Sequence, residues 1–183
     1  MLYAPGHRQS LAKHTPSDTH CTMSLDRETF VHRFGGVYEH SPWVAELCWE
    51  KGRLAETAAE LAEIMSAVVD QAEISKRLTL IRAHPDLAGR LAVAGELTAA
   101  STDEQASAGL DQCSADEFAT LQRLNQAYKD KFSFPFVMAV KNSNRHKIMA
   151  AFEERLGNSY DTEFDQAIFE IHKIARLRLE QLF

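Results

Sequence analysis

The sequence lacks the features that several common function classes need. Its 183 residues carry 20 lysines and arginines against 26 aspartates and glutamates, a formal net charge of −6. A basic surface for nucleic acid is therefore not expected. No window approaches 18 uninterrupted apolar residues, so no membrane span is expected either. The three cysteines (Cys21, Cys48 and Cys113) form no CxxC pair. This favours reduced thiols in a cytoplasmic protein.

The motifs of metal, nucleophile and phosphate sites are also missing. There is no HExxH and no Cys/His quartet with zinc spacing. There is no GxSxG nucleophile turn, and Gly35-Gly36 is an isolated pair, not a phosphate loop. The sequence therefore predicts no metal site, no serine nucleophile of this type and no phosphate loop.

The first 22 residues differ in composition from the rest of the chain. They contain Pro5, Gly6, Pro16 and three histidines, with few bulky apolar side chains and no secretory apolar core. We interpret residues 1–22 as a disordered leader, with Met23 as a candidate natural start. Residues 23–183 are predicted to form one domain, because 45% of the chain is apolar.

Apolar spacing indicates helices from Ser24 onward. The clearest stripe alternates steps of four and three residues: Leu54, Ala58, Leu61, Met65, Val68 and Ala72. Helix starts are predicted at polar residues that can cap a helix or at a cap followed by proline. These are Ser24 to Glu28, Ser41-Pro42, Ser101, Ser114, Asn144 and Asp161. The predicted fold class is all-α, a single-domain bundle of about eight helices.

The segment from Phe132 to Val140 does not fit the helical pattern. It is apolar and aromatic, and Pro135 divides it. It is predicted to be a lone strand or an extended buried loop. Buried backbone groups need hydrogen-bond partners, and a ligand is one candidate.

His84 is the first candidate for chemistry. It precedes Pro85, which ends a helix carrying Ile74, Leu78 and Ile81. A histidine bonded only to a backbone carbonyl is the plain structural alternative. Its position between Arg82 and Asp86 favours a functional role, and an imidazole with a pKa near ~6.5 can take or give a proton at neutral pH.

Glu104 and Arg178 have equally plain alternatives. Ser101 and Glu104 fit the S-x-x-E capping box, as do Ser114 and Glu117, so Glu104 is interpretable as a cap alone. The plain alternative for Arg178 is a solvated cation in the last turn of the helix, where the helix dipole favours positive charge. However, Arg178 lies one turn from both Ile174 and Leu182, which places it on the apolar side of the last helix, where a charge needs a partner. Arg176 remains the competing candidate.

Five motifs, in order, carry a resemblance to a known family. They are residues 34–46 (FGGVYEHSPWVAE), Ala83 to Ala88, Ser101 to Gly109, Phe132 to Val137, and Ile174 to Leu179. Together they resemble the decarboxylases of 2-oxo-4-hydroxy-4-carboxy-5-ureidoimidazoline (OHCU), enzymes of urate breakdown. The resemblance runs from about Ser24 to the end of the chain.

The resemblance implies an activity and a set of site residues. It implies cofactor-independent conversion of OHCU, a small anionic substrate, to (S)-allantoin, with His84 and Glu104 as catalytic residues. It implies substrate contacts by Pro85, Ser101, Gln105, the backbone of Phe136, Val137, Met138, Ala139 and Val140, and Arg178. It also implies a homodimer. The tail carries no peroxisomal signal, which agrees with the cytoplasmic prediction.

Two other classes of function remain as alternatives. A non-catalytic helical binding or interaction module would use His84 and Glu104 only as capping groups. A metal-dependent lyase or hydrolase would use scattered histidines, and full activity after exhaustive chelation would exclude it.

Overall fold

The computed structural model describes residues 25–52, 55–87, 113–141 and 143–183. These residues form seven helices and no strands. The helices are α1 (Arg27–Phe34), α2 (Trp43–Glu50), α3 (Ala58–Asp70), α4 (Ile74–Ala83), α5 (Ala115–Phe132), α6 (Arg145–Arg155) and α7 (Tyr160–Leu182). The predicted all-α class is confirmed. The helices expected at Asp86 to Gly95 and after Ser101 fall largely or wholly outside the described residues, so the predicted number of eight stays a prediction.

Side-chain caps fix most helix starts where the sequence indicates them. Asp26 accepts a hydrogen bond from the Thr29 amide at the start of α1, and Asn144 does the same for Lys147 at α6. Ser114 and Glu117 form the complete capping box of α5. Each such cap contributes about 1 kcal/mol to helix stability.

Two predicted starts are wrong by one or two residues. Ser159, not Asp161, caps α7 by accepting from the Thr162 amide, and Asp161 lies in the first turn. Pro42 is the residue before α2, not its first residue. The helix that carries the long stripe begins after Thr57, whose hydroxyl accepts from the Glu60 amide, and Leu54 lies outside the described residues.

The core is built around the longest helix. α3 and α4 pack against α7, α2 packs against α1 and α3, and α5 packs against α6. Large side chains with almost no exposure fill the space between them, including Phe30, Leu61, Met65, Tyr128, Phe132, Phe136 and Phe152. Burying each one contributes roughly 1.5–3 kcal/mol. Within the described part of the chain, no helix is long and apolar enough to cross a membrane.

Residues 133–140 form no helix and pair with no described strand, so the lone strand and the extended buried loop both stay predictions. The aromatic rings of this segment join a cluster with α5 and α6, in which Phe136 stacks on Phe152 with a centroid distance of 3.7 Å. The Tyr128 ring meets Phe136 edge-on at 5.1 Å. The segment is therefore held by the core rather than by a neighbouring strand.

Candidate active site

His84 lies where α4 ends. Its backbone is extended (φ −71°, ψ 141°), because the following Pro85 disfavours a helical residue before it. The ring is buried, with 6% of the residue exposed, and Nδ1 lies 3.1 Å from the Leu80 carbonyl oxygen. A carbonyl only accepts, so Nδ1 carries the proton and donates it. In the neutral ring, Nε2 is therefore the nitrogen that accepts a proton.

Burial controls the protonation of His84. It lowers the pKa of the imidazole from 6.5 to about 4. The Leu80 hydrogen bond and the Glu39 carboxylate oppose this lowering, whereas the positive charge of Arg178 and His40 add to it. The ring is thus neutral at pH 7, and its Nε2 is unprotonated. This differs from the pKa near ~6.5 expected from the sequence, because exposure is not visible in a local motif.

The low pKa of His84 also affects stability. Between pH 6.5 and 4 the unfolded chain binds a proton at this histidine, whereas the folded chain does not. The contribution of His84 to the free energy of unfolding therefore falls as the pH falls through this range.

The two C-terminal arginines occupy different environments. Arg178 is 7% exposed, and its Nη1 lies 2.7 Å from Glu39 Oε2. The same Nη1 donates to the Val37 carbonyl oxygen at 3.3 Å. Arg176 is exposed and pairs with Glu180, one turn further along the helix, at 3.4 Å. Of the two candidates, Arg178 is the one buried beside His84.

Glu39 is the functional candidate that sequence reasoning missed. It is 1% exposed, contacts Arg178, and lies close enough to His84 to influence its proton affinity. Glu39 lies within the motif of residues 34–46, but no local sequence pattern marks a glutamate in a turn as buried. The available signal was the need of an arginine on an apolar helix face for an acidic partner.

Side chains from two helices hold the segment 136–140. The Val137 carbonyl oxygen accepts from Arg155 Nη1 at 2.7 Å, and the Ala139 amide donates to Glu170 Oε2 at 2.8 Å. Phe136 and Val137 are buried. Charged side chains therefore satisfy the Val137 carbonyl and the Ala139 amide. In a β-sheet, such backbone groups would form hydrogen bonds with a neighbouring strand.

A buried ion pair supports this segment. Arg155 Nε donates to Glu163 Oε1 at 2.8 Å, and Glu163 is fully buried. Tyr128 and Asn158 also donate to the Glu163 carboxylate. The pKa of the Tyr128 hydroxyl is raised by burial and by this carboxylate, so it stays protonated and keeps donating. The Arg155 guanidinium lies 4.3 Å from the Phe136 ring centroid.

The remaining predicted site residues divide into two groups. Pro85, Met138, Ala139 and Val140 are described, and all but the buried Val140 are half-buried. Ser101, Glu104 and Gln105 lie outside the described residues. Their approach to His84 stays a prediction. Among the described residues, no group of three or more His, Cys, Asp or Glu side chains is arranged to hold a metal ion.

Comparisons with known proteins agree with the sequence resemblance. The family model described as OHCU decarboxylase matches residues 23–180. A 2-oxo-4-hydroxy-4-carboxy-5-ureidoimidazoline decarboxylase of Haloferax volcanii is 48% identical over 159 residues, which is 87% of this chain and 92% of the relative.

Two solved structures share the fold. The crystal structure of an (S)-allantoin synthase superposes with a TM-score of 0.71 at 32% identity, over 88% of this chain and 52% of the other, so this chain spans about half of that protein. An OHCU decarboxylase structure determined in the presence of (S)-allantoin gives a TM-score of 0.58 at 26% identity, over 69% of this chain and 82% of the other. The chain belongs to the OHCU decarboxylase family.

Proposed function

We propose that this protein decarboxylates OHCU to (S)-allantoin in urate degradation, without a cofactor. The observation that carries the proposal is a buried imidazole whose Nδ1 is bonded to a carbonyl, next to a buried arginine, in a chain of this family. Such a pair suits an anionic substrate with a proton to transfer: the arginine binds anionic oxygens, and the histidine accepts the proton.

The reaction divides into loss of CO2 and a proton transfer. When the C–CO2 bond breaks, its electron pair forms a double bond to the neighbouring carbon, and the imine nitrogen takes up the displaced pair and a solvent proton. The hydroxyl proton of the resulting enol then has to move to the neighbouring carbon. His84 Nε2 accepts the hydroxyl proton and returns a proton to one face of that carbon, which sets the (S) configuration.

Arg178 orients the substrate in this scheme. Its guanidinium presents planar N–H donors that match the oxygens of a carboxylate. Pro85 and the backbone of residues 136–140 complete the pocket wall. Glu104, with Ser101 and Gln105, is proposed to bind the hydroxyl or ureido hydrogens of the substrate.

The rings of Phe134 and Phe136, which we call the aromatic wall, are proposed to favour the reaction by excluding water from the substrate. Phe134 precedes the 136–140 segment and Phe136 begins it, and both side chains are buried. A carboxylate that loses its hydration there approaches the charge distribution of neutral CO2 more easily. The wall thus favours the bond-breaking step without forming any bond itself.

The handedness of the product tests the proposed function. Purified protein added to freshly made OHCU is expected to form (S)-allantoin, seen as a growing circular dichroism signal. OHCU also decays without enzyme, and that decay is expected to give no optical signal. Product that forms at the rate of the decay without enzyme, and without optical activity, would refute the proposed function and favour the non-catalytic binding module.

Two glutamates that share one sequence pattern provide the matched control. Glu104→Gln is expected to reduce (S)-allantoin formation strongly, because Glu104 is proposed to contact substrate. Glu117→Gln removes the equivalent residue of the capping box of α5, where Glu117 Oε2 accepts from the Ser114 amide. It is expected to leave turnover within twofold. Equal turnover in the two variants would indicate that Glu104 acts only as a helix cap.

A homodimer is proposed as the assembly. An open groove of about 380 Å³ between α3 and α7 contains the exposed ring of Phe169. Its α3 side carries Glu63 and Asp70, and its α7 side carries Lys173 and Arg176. A second copy related by a two-fold axis that runs along the groove would place the α3 carboxylates of one copy opposite the α7 cations of the other. Sedimentation as a monomer would reject this assembly. The cytoplasmic location stays a prediction.

A further inference from the structure

The turn between α1 and α2 contains a motif to which the proposed reaction assigns no role. This turn, residues 35–42, reads GGVYEHSP. Its central residues are unusually buried for a connection between helices, with Tyr38 and Glu39 each 1% exposed. A surface loop of this length would normally expose such side chains. The turn is therefore built to place them inside the protein.

The backbone of the turn is shaped to deliver Glu39 inward. A side chain at Gly35 would put its Cβ only 2.5 Å from the Val31 carbonyl oxygen, so glycine is required there. His40 has a φ of +48°, a left-handed conformation that costs free energy for a residue with a side chain. The Ser41 amide closes the turn on the Tyr38 carbonyl oxygen at 2.9 Å.

Two side chains of the turn attach it to α7. The Tyr38 hydroxyl lies 2.9 Å from His172 Nδ1, and His172 Nε2 lies 3.1 Å from Asp70 Oδ1. Glu39 pairs with Arg178 at 2.7 Å. His172 and Arg178 are six residues apart, about 9 Å along the helix axis. The turn is thus fixed at two points and cannot pivot about either one.

The charges around His84 and Arg178 indicate a role for Glu39. Among the described residues, Glu39, Arg178 and His40 influence the proton affinity of His84, and of these three Glu39 is the acidic one. Without it, Arg178 would be a buried cation with its partner carboxylate lost, which is strongly unfavourable. Because a guanidinium is planar and rigid, holding one nitrogen also fixes the direction of its other N–H groups.

We propose that Glu39 is a positioning residue of the decarboxylase site, which holds the Arg178 guanidinium in the orientation that receives the anionic oxygens of the substrate. The proposal rests on the roles proposed above for His84 and Arg178. It assigns to residues 35–42 the function of carrying this carboxylate into the pocket. Glu39 acts through Arg178 and does not itself transfer the proton.

A double-mutant cycle on OHCU tests this role. Glu39→Gln keeps the shape and a hydrogen-bond acceptor but removes the charge, and it is expected to lower kcat/KM by roughly 10- to 100-fold. Arg178→Gln is expected to lower it at least as much. The double variant should be no slower than Arg178→Gln alone, because the two residues act as one unit. Glu180→Gln, on the exposed partner of Arg176, is the control and should stay within twofold.

The arms of the cycle separate this inference from the proposed site. Wild-type activity in Arg178→Gln would refute the site and the inference together. Loss in Arg178→Gln with wild-type activity in Glu39→Gln would refute the inference alone, as would additive losses in the double variant. Should Glu39→Gln fail to fold, Glu39→Asp takes its place. It keeps the charge but shortens the reach, and a loss that disappears in the Arg178→Gln background supports the same conclusion.

Discussion

Replacing His84 by asparagine is expected to remove (S)-allantoin formation almost completely. The variant keeps a side-chain N–H that can reach the Leu80 carbonyl oxygen, so the end of α4 should persist. It loses the Nε2 lone pair that accepts the substrate's proton. General acid–base catalysis typically contributes ~10²–10⁴-fold, and kcat should fall by that order. The measurement is the rate of circular dichroism change on fresh OHCU.

A second histidine controls for the substitution itself. His146 is exposed on α6, and its Nε2 lies 3.7 Å from Glu117 Oε1. His146→Asn should retain wild-type turnover, and both variants should keep the helical far-ultraviolet spectrum. A His84→Asn protein that is folded and fully active would remove His84 from the reaction.

Replacing Arg155 by methionine is expected to cause a large decrease in the free energy of unfolding. Glu163 is fully buried, and Arg155 is the positively charged residue that pairs with its carboxylate. Removing one member of a buried ion pair costs about 3–5 kcal/mol, because the remaining charge stays buried. The variant also loses the donor to the Val137 carbonyl oxygen, so the 136–140 segment should bind substrate less well. Urea unfolding and kcat/KM measure the two effects.

The charge left on Glu163 should be the cause of this loss. Adding Glu163→Gln to Arg155→Met is therefore expected to recover part of the free energy of unfolding. Arg176→Met removes a surface pair with Glu180 and should cost less than about 1 kcal/mol. An Arg155→Met protein within 1 kcal/mol of wild type would contradict a supporting role for this pair.

Local signals were sufficient for most of the helices. Pro85 ends α4 at His84, and the Ser114–Glu117 pair starts α5, because both effects act within four residues of the chain. Where two caps lie close together, as with Ser159 and Asp161, the pattern cannot rank them, since either side chain can accept from a first-turn amide. The start of α7 was therefore misplaced by two residues.

Pairing of buried charges was beyond the sequence because it joins distant residues. The burial of Arg178 was predictable from its register with Ile174 and Leu182, but its partner Glu39 is 139 positions away. The same holds for Glu170 and the Ala139 amide. Composition and periodicity indicate which faces are apolar. They do not indicate which carboxylate meets which cation.

The protonation state of His84 tests the central claim most directly. Nuclear magnetic resonance of the protein with ¹⁵N-labelled histidine distinguishes the two ring nitrogens and follows their titration. Above its pKa the ring should be neutral, with the proton on Nδ1, and it should become charged only as the pH falls towards about 4. A ring that is charged at pH 7, or that carries its proton on Nε2, would contradict the account.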